Sequence, residues 1–311
     1  MAEIIYISCV PRSGSTLLDN LLAAHQEIIT VGEVFQLKAY ALEDRRFYNP
    51  ESPLVCSCGR RVADCNFWSQ VEANLNKQLW ELKLKPRFLE IQWQKERDIE
   101  RKLWVKVGHC INRWPWLYCM PGLHEALQGG AIGKDSWQLF DAISSVTSAR
   151  RIVDSSKSPF RFWSLHKARA NQIKLIILCR DYRAVVHSMV RRGLGIRRSI
   201  EGWVRENRKI EMLSSDIPSQ LIMRVRYEDL CNDSESVMRR LCLFLGLEFS
   251  PEVLMRPEHS NLHHLGGSPS KFDPKRRDIR SEDSYLEFFS NQELSLMRKI
   301  AGAVARDWGY E

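Results

Sequence analysis

The chain predicts an α/β fold in which a central parallel sheet carries helices on both faces and a long helical insertion covers one end. Three observations carry that expectation. Apolar runs at 4–7, 151–154, 174–179 and 221–225 have the length of buried strands. Each leads into apolar residues at helical spacing, the alternation that builds parallel sheets. Residues 34–148 have a different texture, mostly helical, and hold seven of the ten tryptophans. No internal repeat or low-complexity linker divides the 311 residues, so they read as a single domain with the insertion at about 34–148.

The first run, Ile4 to Ile7, leads through Pro11-Arg12-Ser13-Gly14-Ser15 to Thr16 and then to Leu17, Leu18, Leu21 and Leu22 at helical spacing. Strand, tight turn and helix together make a phosphate cradle: the turn aims amides at one point and the helix N-terminus adds partial positive charge. Against the nucleotide P-loop pattern G-x-x-x-x-G-K-[ST], the second Gly and the Thr are present as Gly14 and Thr16. Cys9 replaces the first Gly and Ser15 replaces the Lys. The cation has moved into the loop as Arg12, which suits an anion held by a guanidinium plus backbone amides. This is a P-loop-like nucleotide-binding core, poorly matched to an ATPase or GTPase. An ordinary strand–helix turn that contains an Arg is the alternative reading.

A short run at 28–31 reaches Gly32-Glu33, at the end of a short strand or turn. In the insertion, 67–84 reads as helix, and Pro86, Pro115 and Pro121 interrupt the pattern. Its tryptophans (Trp68, Trp80, Trp93, Trp104, Trp114, Trp116 and Trp137) either line an acceptor pocket or pack the insertion, packing being the commoner fate. Beyond residue 149, the strand at 151–154 enters Ser155-Ser156-Lys157, and the strand at 174–179 ends at Arg180-Asp181 before a helix carrying Val185, Val186, Met189 and Val190. The strand at 221–225 ends at Arg226-Tyr227. Val237, Leu241, Phe244 and Leu245 form the next helix, which Gly246 stops. Residues 251–280 read as loop, and a last helix spans about 291–308.

Hydrophobic content of 44% excludes global disorder. A net charge of +8 suits an anionic ligand. No basic run or RNA-binding signature points to nucleic acid. The N-terminus reads as strand and loop rather than signal peptide, and no apolar segment is long enough to span a bilayer. With nine scattered cysteines, the chain reads as a reduced, cytoplasmic protein without stable membrane insertion. Cys56, Cys58 and Cys65 cluster in sequence, with His109 and Cys110 as distant candidates for a fourth metal ligand. A free-thiol loop or a disulfide is favoured over a metal.

In open α/β sheets, ligands sit beyond the carboxyl ends of the strands. The four strands end at Arg12–Thr16, Ser156-Lys157, Arg180 (with Ser188 two turns along the next helix) and Arg226-Tyr227. Cations and hydroxyls therefore collect at one edge, as a ligand with two separate anionic groups and an aromatic part requires.

These segments resemble the sulfotransferases that use 3′-phosphoadenosine-5′-phosphosulfate (PAPS). V-P-R-S-G-S-T-L-L is similar to their 5′-phosphosulfate loop, and L-C-R-D-Y-R-A-V-V-H-S-M-V-R-R to their 3′-phosphate segment. The likeness continues through R-Y-E-D-L and F-L-G-L. The Arg loop, Gly32-Glu33 and R-x-x-x-V-H-S-M resemble the tyrosyl-protein branch, while C-S-C-G…C-N-F-W resembles bacterial members.

The resemblance implies in-line transfer of the sulfuryl group from PAPS to an acceptor hydroxyl, on a small molecule, glycan, lipid headgroup or tyrosyl peptide, leaving the bisphosphate nucleotide PAP. Arg12 and the amides of Ser13, Gly14, Ser15 and Thr16 would grip the 5′-phosphosulfate. Ser15 and Thr16 could also cap the helix. Arg180, Ser188 and Arg192 would hold the 3′-phosphate, the alternative for Arg180 being an ion pair with Asp181. Tyr227 would contact the nucleotide or belong to the core, and Ser270 and Lys271 would come from a loop over the donor. Glu33 is the candidate general base, or else a structural carboxylate bonded to amides or to Arg12. His263 and His264 are in reserve, and His25 and His187 read as structural. Lys157 would stabilise charge on the bridging oxygen. Sulfuryl carries less negative charge than phosphoryl and no acidic triad is visible, so no metal is required. The rivals are a P-loop small-molecule kinase and a catalytically silent nucleotide-binding interaction protein.

Overall fold

A computed structural model describes residues 2–44, 53–91, 99–255, 262–267, 284–285 and 287–310. Strand β1 (Glu3–Cys9) leads to helix α1 (Ser15–Ala23) and strand β2 (Ile28–Thr30). The insertion contributes α2 (Leu37–Ala41), α3 (Asn66–Ala73), α4 (Arg87–Ile91), α5 (Ile99–Arg113), α6 (Pro121–Ala126) and α7 (Gly129–Thr147). Then come β3 (Arg151–Lys157), α8 (Pro159–Ala168), β4 (Ile173–Cys179), α9 (Tyr182–Val190), α10 (Ile196–Ser214) and β5 (Ile222–Arg226). The chain closes with α11 (Tyr227–Asn232), α12 (Ser234–Leu245) and α13 (Asn291–Asp307).

The five strands form one sheet in the order β2-β3-β1-β4-β5, every pair parallel. β1 lies at the centre and is apolar on both faces. Ile4 and Tyr6 enter one core, Ile5, Ile7 and Cys9 the other, all between 0% and 3% exposed. That two-sided burial is why the strand reads as a continuous apolar run rather than an alternation.

The larger core packs α8, α9, α10 and the insertion, around Trp68, Trp137 and Trp203. The smaller core packs α1 and α12 through Leu18, Leu21, Leu22, Val237 and Leu241. The helix after β1 thus leaves toward one face, and those after its neighbours β3 and β4 toward the other. The carboxyl end of β1 is therefore the topological switch point of the sheet, the place where such folds bind ligands.

Two expectations need correction. The 67–84 pattern is not one helix: α3 stops at Ala73 and a short 3₁₀ turn follows at Leu79–Glu81. Side chains take the amides that a longer helix would have used. Glu81 accepts from Gln78 N at 2.8 Å, Glu72 from Leu79 N at 2.9 Å, and Asp135 from Lys83 N at 2.7 Å. Strand β3 runs on to Lys157 instead of stopping at Asp154, because a bulge lets it stay paired with β1. Tyr6 pairs with Asp154 but Ser8 with Lys157, so β3 carries one extra residue. Of the two readings of the 28–31 run, strand or turn, the strand holds: β2 forms the fifth, edge member of the sheet.

Of the insertion tryptophans, Trp68 and Trp137 are core and Trp104 lies under the Arg87 guanidinium. Trp80, Trp114 and Trp116 are exposed. Trp93 lies outside the described residues. No helix among the described residues is long and apolar enough to cross a membrane.

Candidate active site

The loop after β1 turns through two left-handed residues. Arg12 has φ 78° and Gly14 φ 92°. Gly14 is the N-cap of α1 and makes no side-chain cap hydrogen bond, and Ser15 and Thr16 occupy the first two positions of the helix. Glycine is required there twice over: the φ is strained for any side chain, and a Cβ would fall onto the Tyr227 ring. Among the described residues, the amides of Gly14 and Ser15 have no acceptor. The amide of Ser13, expected in the same cradle, instead closes the turn on Val10 O at 3.2 Å. Its hydroxyl is buried without a partner among the described residues. Beneath the loop, burial pushes the Cys9 thiol up to about 12, so it packs as a neutral group.

β4 and β5 bring the rest of the anion-binding residues to this loop. Arg12 Nε donates to Ser188 Oγ at 2.8 Å. Arg180 donates to Arg12 O at 3.3 Å, and its guanidinium lies 4.5 Å from the Tyr227 ring centroid. Arg12, Gly14, Arg180, Ser188 and Tyr227 therefore form one contiguous group. Arg180 does not pair with Asp181, which caps α9 and binds Arg183 at 2.6 Å. The Arg180 Nε atom is buried with no hydrogen-bond partner among the described residues. Trp203 Nε1 donates to Arg180 O at 3.2 Å, and Glu228 accepts from Asp181 N at 2.9 Å. Those two contacts fix the backbone that carries Arg180. Arg192 lies exposed in the turn that ends α9. Ser270 and Lys271 lie outside the described residues.

A second group sits on the other side of β1. The bulge in β3 leaves Lys157 in a left-handed conformation, φ 69°, with its carbonyl accepting from Ser8 Oγ at 2.9 Å. Its ammonium forms an ion pair with Glu33, each side chain 15% exposed. Glu33 follows β2 and is held through its backbone, donating from N to Leu265 O at 2.7 Å. Gly267 N also donates to Glu33 Oε1, at 2.9 Å. Both contacts fall on Oε1, so Oε2 has no hydrogen-bond partner among the described residues. Glu33 thus meets an amide, as the structural reading expected, while one oxygen stays open; Arg12 bonds Ser188 instead.

The reserve histidines point elsewhere. His264 is buried against Thr30, and His263 joins the cysteine cluster. His25 bonds the carbonyl of Glu248 at 3.0 Å, and His187 packs on Phe288 and Phe289, both structural as expected.

One supporting residue escaped the sequence reading. Arg161, fully buried on α8, pairs with the equally buried Asp154 at 2.9 Å. It also donates to Leu84 O at 2.8 Å and Ser136 Oγ at 2.7 Å. Asp154 in turn accepts from the amide (2.9 Å) and hydroxyl of Ser156, which shapes the bulge before Lys157. The signal was present as D-S-S-K-S-P-F-R, an Asp and an Arg seven residues apart across a strand–helix turn.

A profile of the Sulfotransferase family matches residues 5–251. Two nematode proteins, each named "Putative protein-tyrosine sulfotransferase", are similar over short stretches. The one from Caenorhabditis briggsae is 36% identical over 93 residues, and the one from Caenorhabditis elegans 37% over 89. The stretches cover 27% and 26% of this chain and only 33% and 34% of those relatives.

Among solved structures, the sulfotransferase domain of the curacin biosynthetic pathway superposes with a TM-score of 0.56 at 20% identity, covering 100% of this chain and 98% of that one. The sulfotransferase domain of the Synechococcus PCC 7002 olefin synthase gives 0.56 at 16%, covering 97% and 94%. At these identities the likeness concerns the fold. Together with the profile over most of the chain, it means that the chain belongs to the sulfotransferase family.

Proposed function

We propose that this chain transfers the sulfuryl group of PAPS to an acceptor hydroxyl. The observation that carries the reading is the meeting of Arg12, Gly14, Arg180, Ser188 and Tyr227 beside the Glu33–Lys157 pair, across the tip of one strand. The donor supplies an activated sulfuryl group on a nucleotide with two anionic ends. The residues present fit it: two amides at a helix N-terminus, a buried hydroxyl and a guanidinium nitrogen, all without a partner among the described residues.

Arg12 and the Gly14 and Ser15 amides hold the 5′ end, while Arg180 and Ser188 take the 3′-phosphate. Tyr227, with the guanidinium over its ring, offers a flat face to the base. Glu33 accepts the acceptor's proton on Oε2, the oxygen left open, and the Gly267 amide and Lys157 fix its orientation through Oε1. Lys157 sits where its charge can serve the leaving oxygen. Electrostatics and positioning do most of the work, as in phosphoryl transfer. A kinase fits less well, because Ser15 stands where a P-loop carries its lysine.

The nematode relatives' names make a peptide tyrosine the first acceptor to try. Incubation with sulfur-labelled PAPS and a panel of tyrosyl peptides, glycans and phenols tests the reading. Label should move to at least one hydroxyl. PAP bound with no transfer to any of them would instead favour the silent nucleotide-binding rival.

A further inference from the structure

Cys56, Cys58, Cys65 and His263 bring three Sγ atoms and Nδ1 together, all within 4.8 Å of one another. From the sequence, thiols or a disulfide are favoured, with His109 and Cys110 as distant candidates for a fourth ligand. Those two lie on α5, and the fourth group is His263, about two hundred residues along the chain from the cysteines.

We propose that these four residues bind one structural zinc ion, and the spacing is the argument. Zinc–sulfur bonds of about 2.3 Å and zinc–nitrogen bonds of about 2.0–2.1 Å place tetrahedral ligand atoms roughly 3.8 Å (S···S) and 3.5 Å (S···N) apart. The observed separations are 3.7 Å for Cys58–Cys65, 3.9 Å for Cys65–Cys56, 3.7 Å for Cys56–His263 and 3.3 Å for Cys65–His263. A disulfide needs sulfurs at about 2.05 Å, and all three thiols are free.

The backbone is built to present the four groups. Gly59, left-handed at φ 83°, turns the Cys56-Ser57-Cys58 segment back on itself, and Cys56 N donates to Arg60 O at 2.8 Å. Cys65 sits at the start of α3. The His263 ring stacks on Phe67, centroids 4.5 Å apart and 5° from parallel, which fixes its orientation. Ser57 bonds both sides of His263, donating to Leu262 O at 2.6 Å and accepting from His264 N at 2.8 Å. Four protein ligands leave no open coordination position, so the site is structural rather than catalytic. On binding, the three thiols release three protons, and the zinc–trithiolate–imidazole unit carries one negative charge. The ion clips the insertion to residues 262–267, the segment whose Leu265 and Gly267 hold Glu33.

Purification of the full chain without chelator, from medium containing Zn²⁺, should yield one zinc ion per chain by mass spectrometry of the metal. Cys56, Cys58 and Cys65 should resist alkylation until a chelator is added. Replacement by Co²⁺ should give the visible bands of tetrahedral thiolate-bound cobalt. His263→Ala should weaken zinc binding by more than the roughly 10–100-fold typical of losing an outer partner, while Cys110→Ser should leave it unchanged. Folded wild-type protein that holds no stoichiometric zinc and alkylates freely at the three thiols would overturn the proposal. So would a His263→Ala variant with undiminished affinity. If that variant fails to fold, the wild-type metal content and alkylation pattern decide. Neither readout involves sulfuryl transfer, so the result stands apart from the proposed reaction.

Discussion

The anion-binding half of the site hangs on sheet geometry, whereas the Glu33 half hangs on irregular backbone. Arg180 and Tyr227 follow directly on strands of the parallel sheet, Arg12 lies in the turn that follows β1, and Ser188 sits on the helix after β4. Once the sheet forms, its register brings them together. Glu33 and Lys157 depend instead on a bulge, a left-handed lysine, a buried Asp154–Arg161 pair and a distant backbone segment at 265–267. The first half should therefore respond to local substitution, and the second should also be open to damage from residues that never touch a ligand.

That contrast can be broken most sharply at Glu33. Glu33→Gln should lower kcat by about 10²–10⁴-fold, the usual worth of a general base, and leave PAP affinity unchanged by calorimetry. Equal losses in both would show that Glu33 supports the anion half as well. Next in size is Arg161→Ala. Removing one partner of a buried ion pair costs about 3–5 kcal/mol, read as a fall in the denaturant midpoint. Stability within error of wild type would show that the Asp154 network does not hold the bulge.

Arg180→Ala belongs to the other half. Loss of charged hydrogen bonds worth about 1.5–3 kcal/mol should weaken PAP binding roughly 10–100-fold with little change in the unfolding midpoint. Large destabilisation would mean that Arg180 is a packing residue under Tyr227. The smallest effect is expected from Ser188→Ala, which deletes the 2.8 Å contact to Arg12. A loss of about 0.5–1.5 kcal/mol should appear as a several-fold rise in the PAP dissociation constant. No change would leave Arg12 as the self-sufficient member of that pair.

The same contrast explains what could be read before the fold was known. Arg12, Gly14, Arg180 and Tyr227 were legible because a buried strand ending at a charged or aromatic residue is a local pattern, and parallel topology supplies the rest. Lys157 was legible as a cation at a strand end and Glu33 as a carboxylate after a short run, but their pairing was not and their roles came from resemblance. No local pattern states that β3 gains a residue between its pairs with Tyr6 and Ser8 or that the 265–267 segment returns to Glu33. Arg161 reads as an ordinary helix residue until its full burial is seen. The cysteine cluster stayed incomplete for a related reason. Three ligands lie within ten residues, but loop closure over the long interval to His263 leaves no trace in spacing.

By itself the sequence determined the strands, the helices that follow them and the cation-bearing loop, since burial period and turn chemistry act over a few residues. Tertiary structure alone decided which of Glu33's oxygens stays open, that Arg161 underpins Lys157, and that a histidine near the end of the chain faces three cysteines near its start. Each depends on contacts between residues far apart along the chain: Glu33 with Gly267, Arg161 with Leu84, and His263 with the three cysteines. Only packing the two cores around β1 brings them within reach.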